Sequence, residues 1–138
     1  PNTGLLDIEV SIGLSRRAAS LKLRPGEGIT GWVAAHGISA RVGDVTQDPR
    51  YIPVRSGILS EMAVPLKHKD VVLGVLNLDS KKREAFDAEG QEFLEELAGQ
   101  ASRVLHNAWL FRQYRQKNTQ LQSLLTAAQT IVNAGHID

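Results

Sequence analysis

Cysteine is absent from all 138 residues. That absence excludes thiol catalysis, a disulfide scaffold and thiolate-ligated metal within the chain, and it fits a reducing cytoplasm. Long apolar runs are missing as well. None approaches the roughly 20 residues that a membrane-spanning helix needs, and no signal peptide opens the chain. Charge of one sign is scarce: 16 basic and 15 acidic side chains leave a net charge of +1. No bulk field therefore attracts nucleic acid or anionic lipid, and neither is expected as a partner. His36, His68, His106 and His136 stand without ligand spacing, so no metal site is expected.

What is present is an ordinary globular balance, 42% apolar and 22% charged, in a length that suits one compact domain. Leu6, Ile8, Val10 and Ile12 alternate with Asp7, Glu9 and Ser11, the period of a half-buried strand. Ser20 to Leu23 reads as a second short strand, closed by Pro25-Gly26. Gly31 to His36 suits a short helix, with Gly37 lacking the Cβ that would oppose a left-handed cap. Ile38, Ala40 and Val42 resume period two. The polar stretch Asp44 to Gly57, broken by Pro49, Pro53 and Gly57, is long for a plain connection, and loops of that length often carry function. Ile58–Leu66 and Val71–Asp79 then form a hairpin around Lys67-His68-Lys69-Asp70.

From Asp87 onward Leu94, Leu97, Ala101, Val104, Ala108 and Phe111 keep helical spacing. The helix continues through Tyr114, Leu121, Leu125, Ala128 and Val132, with no proline or glycine after Phe111 until Gly135. Its seam shifts slightly between Phe111 and Tyr114. The second half has little within the chain to pack on, which points to a partner helix and a homodimer.

Polar side chains interrupt the hairpin in a pattern that suggests a binding site. Val71, Leu73, Val75, Asn77 and Asp79 share one strand face, and Val72, Gly74, Leu76 and Leu78 share the other. The first face thus changes from apolar to polar at one end. On the neighbouring strand, Glu61 lies in the row Leu59, Ala63, Pro65. Pairing that brings Glu61 near Asn77 and Asp79 would set a small acidic, hydrogen-bonding cluster against an apolar wall, the usual build of a ligand site. Tyr51 and Arg55, on the long loop, supply an aromatic face and a cation. Trp32 is a further candidate wall, although a bulky residue on a short helix is most often core. Gly26-Glu27-Gly28 lacks the lysine and strand context of a phosphate loop. Lys81-Lys82-Arg83 reads as a solvated basic loop.

Five blocks carry a family resemblance: Arg24-Pro-Gly-Glu-Gly-Ile-Thr-Gly-Trp-Val-Ala35, Gly43-Asp-Val-Thr-Gln-Asp-Pro-Arg-Tyr51, Ser60-Glu-Met-Ala-Val-Pro-Leu66, Leu73-Gly-Val-Leu-Asn-Leu-Asp-Ser80 and Phe86-Asp-Ala-Glu-Gly-Gln-Glu-Phe-Leu94. In this order and spacing the chain resembles the GAF family over Leu5 to Phe111. The resemblance implies an α/β (α+β) fold: an antiparallel sheet flanked by helices, with a long C-terminal signalling helix. It implies a GAF domain over residues 1–111 and a helical linker over 112–138 that leads to a following domain. Family members usually begin with a helix and a first strand, which would precede Pro1, so a segment before this numbering is expected.

The function implied is regulatory: small-molecule binding, dimerisation, or both, controlling an attached output such as a histidine kinase, a cyclic-di-nucleotide enzyme or a transcription activator. No catalytic constellation is expected, and no cofactor can be named. A ligand-free dimerisation spacer is the alternative. The sequence is also similar to the free methionine sulfoxide reductases, which share the GAF fold. Glu61, Asn77 and Asp79 fall where those enzymes place substrate-holding carboxylates, with Asn77 replacing one, and Thr30 takes the place of one of their cysteines. Their chemistry needs a thiolate to attack sulfur and a second thiol to resolve the intermediate. It is therefore excluded here, while an amino-acid-like ligand stays open. Of the family's cyclic-nucleotide signature, Asn-Lys…Phe…Asp-Glu, Asn77 and Phe86 match but Leu78 and Gly90-Gln91 depart. A bilin thioether would need a cysteine.

Overall fold

The computed structural model describes residues 24–135. The strands expected at Leu6–Ile12 and Ser20–Leu23 lie outside these residues. In order, the elements are α1 (Gly28–His36), β1 (Ala40–Val42), a single 3-10 turn (Val45–Gln47), β2 (Ser60–His68), β3 (Val71–Ser80) and α2 (Ala88–Ala134). The described strands form one sheet in the order β1-β2-β3, antiparallel throughout, so the fold is mixed α/β as expected. The chain divides into two compact units, Pro1–Arg103 and Val104–Asp138.

In the first unit β2 is the central wall, and its period of two separates two apolar clusters. Ala63 packs with Ile29, Val33, Ala40, Val45 and Ile58, and half-buried Trp32, Val42, Tyr51 and Val75 close around them. Met62, Val64 and Leu66 face the opposite way, onto Leu94 and Ala98 of α2, with Leu76, Phe86 and Ala101 alongside. A strand covered on both faces needs no polar alternation, which is why β2 reads as a nearly continuous apolar run. Each fully buried Val, Ile or Met contributes about 1.5–3 kcal/mol.

The hairpin pairs from Ser60↔Ser80 to His68↔Val71, with a bulge between Leu66 and Lys67. Pairing thus runs two positions beyond the expected end at Leu66, because the backbone ladder continues under polar side chains as readily as under apolar ones. The turn is Lys69-Asp70, with Lys69 in the left-handed region at φ 53°.

Helix α1 starts at Gly28 rather than Gly31. Gly31 therefore lies inside the helix, where it serves close packing. The Gly26 amide donates to the Gly31 carbonyl at 2.6 Å and the Glu27 amide to the Arg24 carbonyl at 2.9 Å, while Glu27 Oε2 accepts from the Arg24 amide at 2.9 Å. This folded loop lies so near the helix that a Cβ on Gly31 would stand 2.5 Å from the Arg24 carbonyl oxygen. Backbone must shift to admit it, so Gly31→Ala is expected to destabilise the fold by about 1–3 kcal/mol in urea unfolding. An unchanged midpoint would mean that the loop gives way without cost. At the far end of α1, Gly37 takes the expected left-handed cap (φ 63°, ψ 29°), its amide donating to the Val33 carbonyl.

Asp87 caps the start of α2, accepting from the Gly90 amide at 2.8 Å, an arrangement that contributes about 1 kcal/mol. The helix stops at Ala134, next to Gly135, as the sequence suggests. Its buried residues are Leu94, Ala98 and Ser102, all in the first unit. In the second unit the helical residues Val104–Ala134 leave Val104, Phe111, Tyr114, Leu121, Leu125 and Ile131 largely exposed. Among the described residues no helix is long and apolar enough to cross a membrane.

Candidate functional site

Register brings the polar residues of the hairpin together. Glu61 lies directly opposite Asp79, and Ala63 opposite Asn77, so both carboxyl-bearing positions share the sheet face that carries Ala63 and Val75. On its other side Glu61 is paired with Val42 of β1. Glu61 is only 6% exposed. Thr30 Oγ1, from α1, donates to its Oε1 at 3.3 Å. Asn77 Nδ2 donates to Asp79 Oδ1 at 3.2 Å, and Asn77 itself is exposed.

Electrostatics follow from this crowding. Burial, and next the charge of Asp79, push the Glu61 carboxyl up to about 7, against the smaller opposing effect of the Thr30 hydroxyl. Burial also raises Asp79 above the usual carboxylate range, while Asn77 and Arg55 pull it back. Tyr51 is raised by burial and then by Asp79 and Glu61. The long loop thus brings Tyr51 within electrostatic reach of both hairpin carboxylates, Arg55 within reach of Asp79 and Arg50 within reach of Glu61.

A residue that the sequence pattern does not single out completes the loop. Arg50 is held by Asp48 through its backbone amide (2.9 Å), Nε (2.9 Å) and Nη2 (2.6 Å). Its guanidinium lies 4.7 Å from the centroid of the Trp32 ring, and His36 stacks on the same indole at 4.4 Å. Trp32 is therefore half core and half platform, packed against the Ala63 cluster. A signal for Arg50 is present in Asp48-Pro49-Arg50-Tyr51: an aspartate two positions before an arginine in a turn-rich loop can accept from both its backbone and its side chain. Thr30, marked in the sequence only by the cysteine it replaces, proves to be the hydroxyl donor to Glu61.

The basic loop Lys81-Lys82-Arg83 is solvated as expected, all three residues being exposed, and Arg83 Nε makes a surface ion pair with Asp44 Oδ2 at 2.7 Å. Asp44 also accepts from Thr46, and the two contacts, Thr46 first, hold its carboxyl down at about 2. The Lys82 carbonyl accepts from buried Ser60 at 2.7 Å. Among the described residues no group of histidines and carboxylates is arranged to hold a metal.

The sheet, the short helix, the loop over a polar hairpin end and the helix behind define a small mixed α/β domain. The GAF domain profile matches residues 4–106, and the chain belongs to the GAF domain family. Among curated proteins it is 34% identical over 83 residues to the Nif-specific regulatory protein of Azospirillum lipoferum, covering 54% of this chain and 13% of that regulator. Among solved structures it is similar to the free methionine-R-sulfoxide reductase of Neisseria meningitidis in complex with its substrate. There the identity is 34% and the TM-score 0.56, covering 61% of this chain and 54% of the other. The GAF domain of an Acinetobacter phosphoenolpyruvate-protein phosphotransferase superposes with a TM-score of 0.63 at 25% identity, over 72% of this chain and 60% of that one. The chain thus spans only part of each relative.

Proposed function

We propose that this chain is the regulatory sensory domain of a longer signalling protein, binding a small molecule beside Glu61 and Asp79 and transmitting its presence through the C-terminal helix. The observation that carries this reading is Glu61: a carboxylate nearly removed from water, facing a second carboxylate, under a loop that contributes Tyr51, Arg50 and Arg55. Folding alone gives no reason to place two acids there, since each is penalised by burial. A ligand with polar groups offsets that penalty. Asn77, Thr30 and the Trp32 platform supply neutral hydrogen bonds and apolar area around it. Similarity to a reductase seen with its substrate supports a small-molecule site in this fold. Thiol-based reduction has no nucleophile among these residues, so the role is binding rather than turnover. Similarity to a Nif-specific regulatory protein supports a regulatory output, and a chain without cysteine suits work in the cytoplasm.

Native mass spectrometry of freshly purified protein is the test. Wild type is expected to retain a small molecule that Glu61→Gln protein has lost. Bare protein masses for both would favour the second reading, a dimerisation spacer. That reading draws on the exposed apolar residues from Val104 to Val132, which suit a homodimer through this helix.

A further inference from the structure

In the second unit the exposed apolar side chains of α2 follow one repeat. Phe111, Tyr114, Leu121, Leu125 and Val132 are all exposed. With Asn118 and Ala128 between them, also exposed, they step alternately by three and four residues without a break. In the lettering of a coiled-coil heptad, Phe111, Asn118, Leu125 and Val132 take position a, and Tyr114, Leu121 and Ala128 take position d. The outward positions from Arg112 to Thr130 carry nothing apolar larger than alanine. Thr119, Thr126 and Thr130 lie on that outer face, each hydroxyl donating to the carbonyl four residues earlier, at 3.0, 2.9 and 2.9 Å. Asn118 breaks the division. It is a polar residue on the apolar stripe, and its amide makes no hydrogen bond to any described residue.

Resting on the helical homodimer named above, we infer that Asn118 pairs with Asn118 of a second copy inside a parallel, two-stranded coiled coil, and that this pair fixes the register of the two helices. Parallel strands set a against a and d against d, so two Asn118 amides meet, and each both donates and accepts. Antiparallel strands set a against d. Each Asn118 amide would then face Leu121 or the Tyr114 ring and be buried without a partner. A parallel pair slipped by one heptad fails in the same way, facing Asn118 with Phe111 or Leu125. A rival stripe one residue over runs through Leu110, Lys117, Leu124 and Ile131. It would press two Lys117 ammoniums together in a dry seam, and the described residues of the second unit contain no acid to neutralise them. On the Asn118 stripe the flanking positions meet without like charges: Lys117 faces Gln122, and Arg115 faces Leu110, along which its stem can lie. The large apolar side chains of the two copies together lose on the order of 1,000 Å² to water, the scale of a specific interface. A pair locked in this register passes on rotation or splay of its helices rather than sliding, because a slide parts the amides.

Disulfide cross-linking tests the pairing, since the chain has no cysteine of its own. Phe111→Cys, Leu125→Cys and Val132→Cys, each made alone in the whole chain, are expected to link two copies on mild oxidation. Gln116→Cys and Ser123→Cys, on the outer face, are not. Identical residues at both ends of the stripe come together only when the helices are parallel and unstaggered, so a dimer that fails to link at Phe111→Cys and Val132→Cys would overturn the inference. Asn118→Leu should tighten the dimer about tenfold in Kd, while lowering the yield of links at Phe111→Cys and Val132→Cys as slipped pairs become accessible. An unchanged Kd would put Asn118 outside the seam, and an unchanged yield would deny it the register; either result overturns the proposal. The underlying reading fails separately. A wild-type chain that sediments as a monomer removes the homodimer itself, whereas a wild-type dimer with the wrong cross-links removes only the Asn118 pairing.

Discussion

Urea unfolding should show the Glu61→Gln protein gaining on wild type steadily as pH rises, by about 3 kcal/mol between pH 4.5 and pH 8. The carboxyl of Glu61 moves from an ordinary 4.5 to about 7 on folding, and each tenfold gain in proton affinity corresponds to about 1.36 kcal/mol. A raised carboxylate means that the folded chain holds its proton more tightly than the unfolded chain. Between pH 4.5 and about 7 the folded state therefore carries more protons, and raising the pH through that window removes stability. Below the window both states are protonated, above it both are ionised, and the difference is constant on either side. Glutamine keeps an oxygen for Thr30 and never ionises, so its curve lacks this slope. Asp79, also raised, leans the same way. Asp44, Asp48 and Glu95 are lowered; their stability is present at higher pH and lost as pH falls in the acid range. These groups remain in both proteins, so the comparison isolates Glu61. Parallel curves from pH 5 to pH 8 would mean that the carboxylate is hydrated and the site open.

Replacing Leu121 and Leu125 together by glutamine should convert a dimer into a monomer on sedimentation. In the single chain these leucines are 57% and 64% exposed, on a stretch of helix whose apolar residues find no cover within their own unit. A paired helix would bury both in each copy. Losing them costs on the order of 6 kcal/mol, roughly ten-thousand-fold in Kd. Because both positions face outward, helix propensity and the fold of the first unit should be unchanged, and circular dichroism serves as the control. A wild-type protein that already sediments as a monomer, or a double variant with unaltered mass, would rule out the helical dimer.

The parts of this structure that were legible in the sequence are those set by a single local rule. Alternation in Val71–Asp79 placed Asn77 and Asp79 on one face, Gly37 announced a left-handed cap, and Asp87 and Gly135 bracketed the long helix within a residue of its ends. The facing of Glu61 and Asp79 followed from hairpin logic. What could not be read was set by contacts distant in sequence. Gly31 reads only as the start of a helix until the Arg24 carbonyl is seen pressed against it. Arg83 is solvated as its sequence suggests, but its pairing with Asp44, 39 positions away, is not readable there. Arg50 was hidden because its role depends on an indole from another element. The bulge at Leu66 leaves no mark in the residue types, since Lys67 meets an apolar residue in either register, Leu73 without the bulge or Val72 with it.

Strand β2 works as a shared partition. Glu61 opens on the side of the loop, and its immediate neighbour Met62 presses on Leu94 and Ala98 behind. A Cα spacing of about 3.8 Å separates the two chambers, and close-packed side chains fill the rear one. Anything that tugs on the carboxylate therefore moves a backbone whose next side chain is already wedged against a helix. No relay of intermediate residues is needed for the rear chamber to feel the front one. The partition is thin, and its thinness is itself the connection.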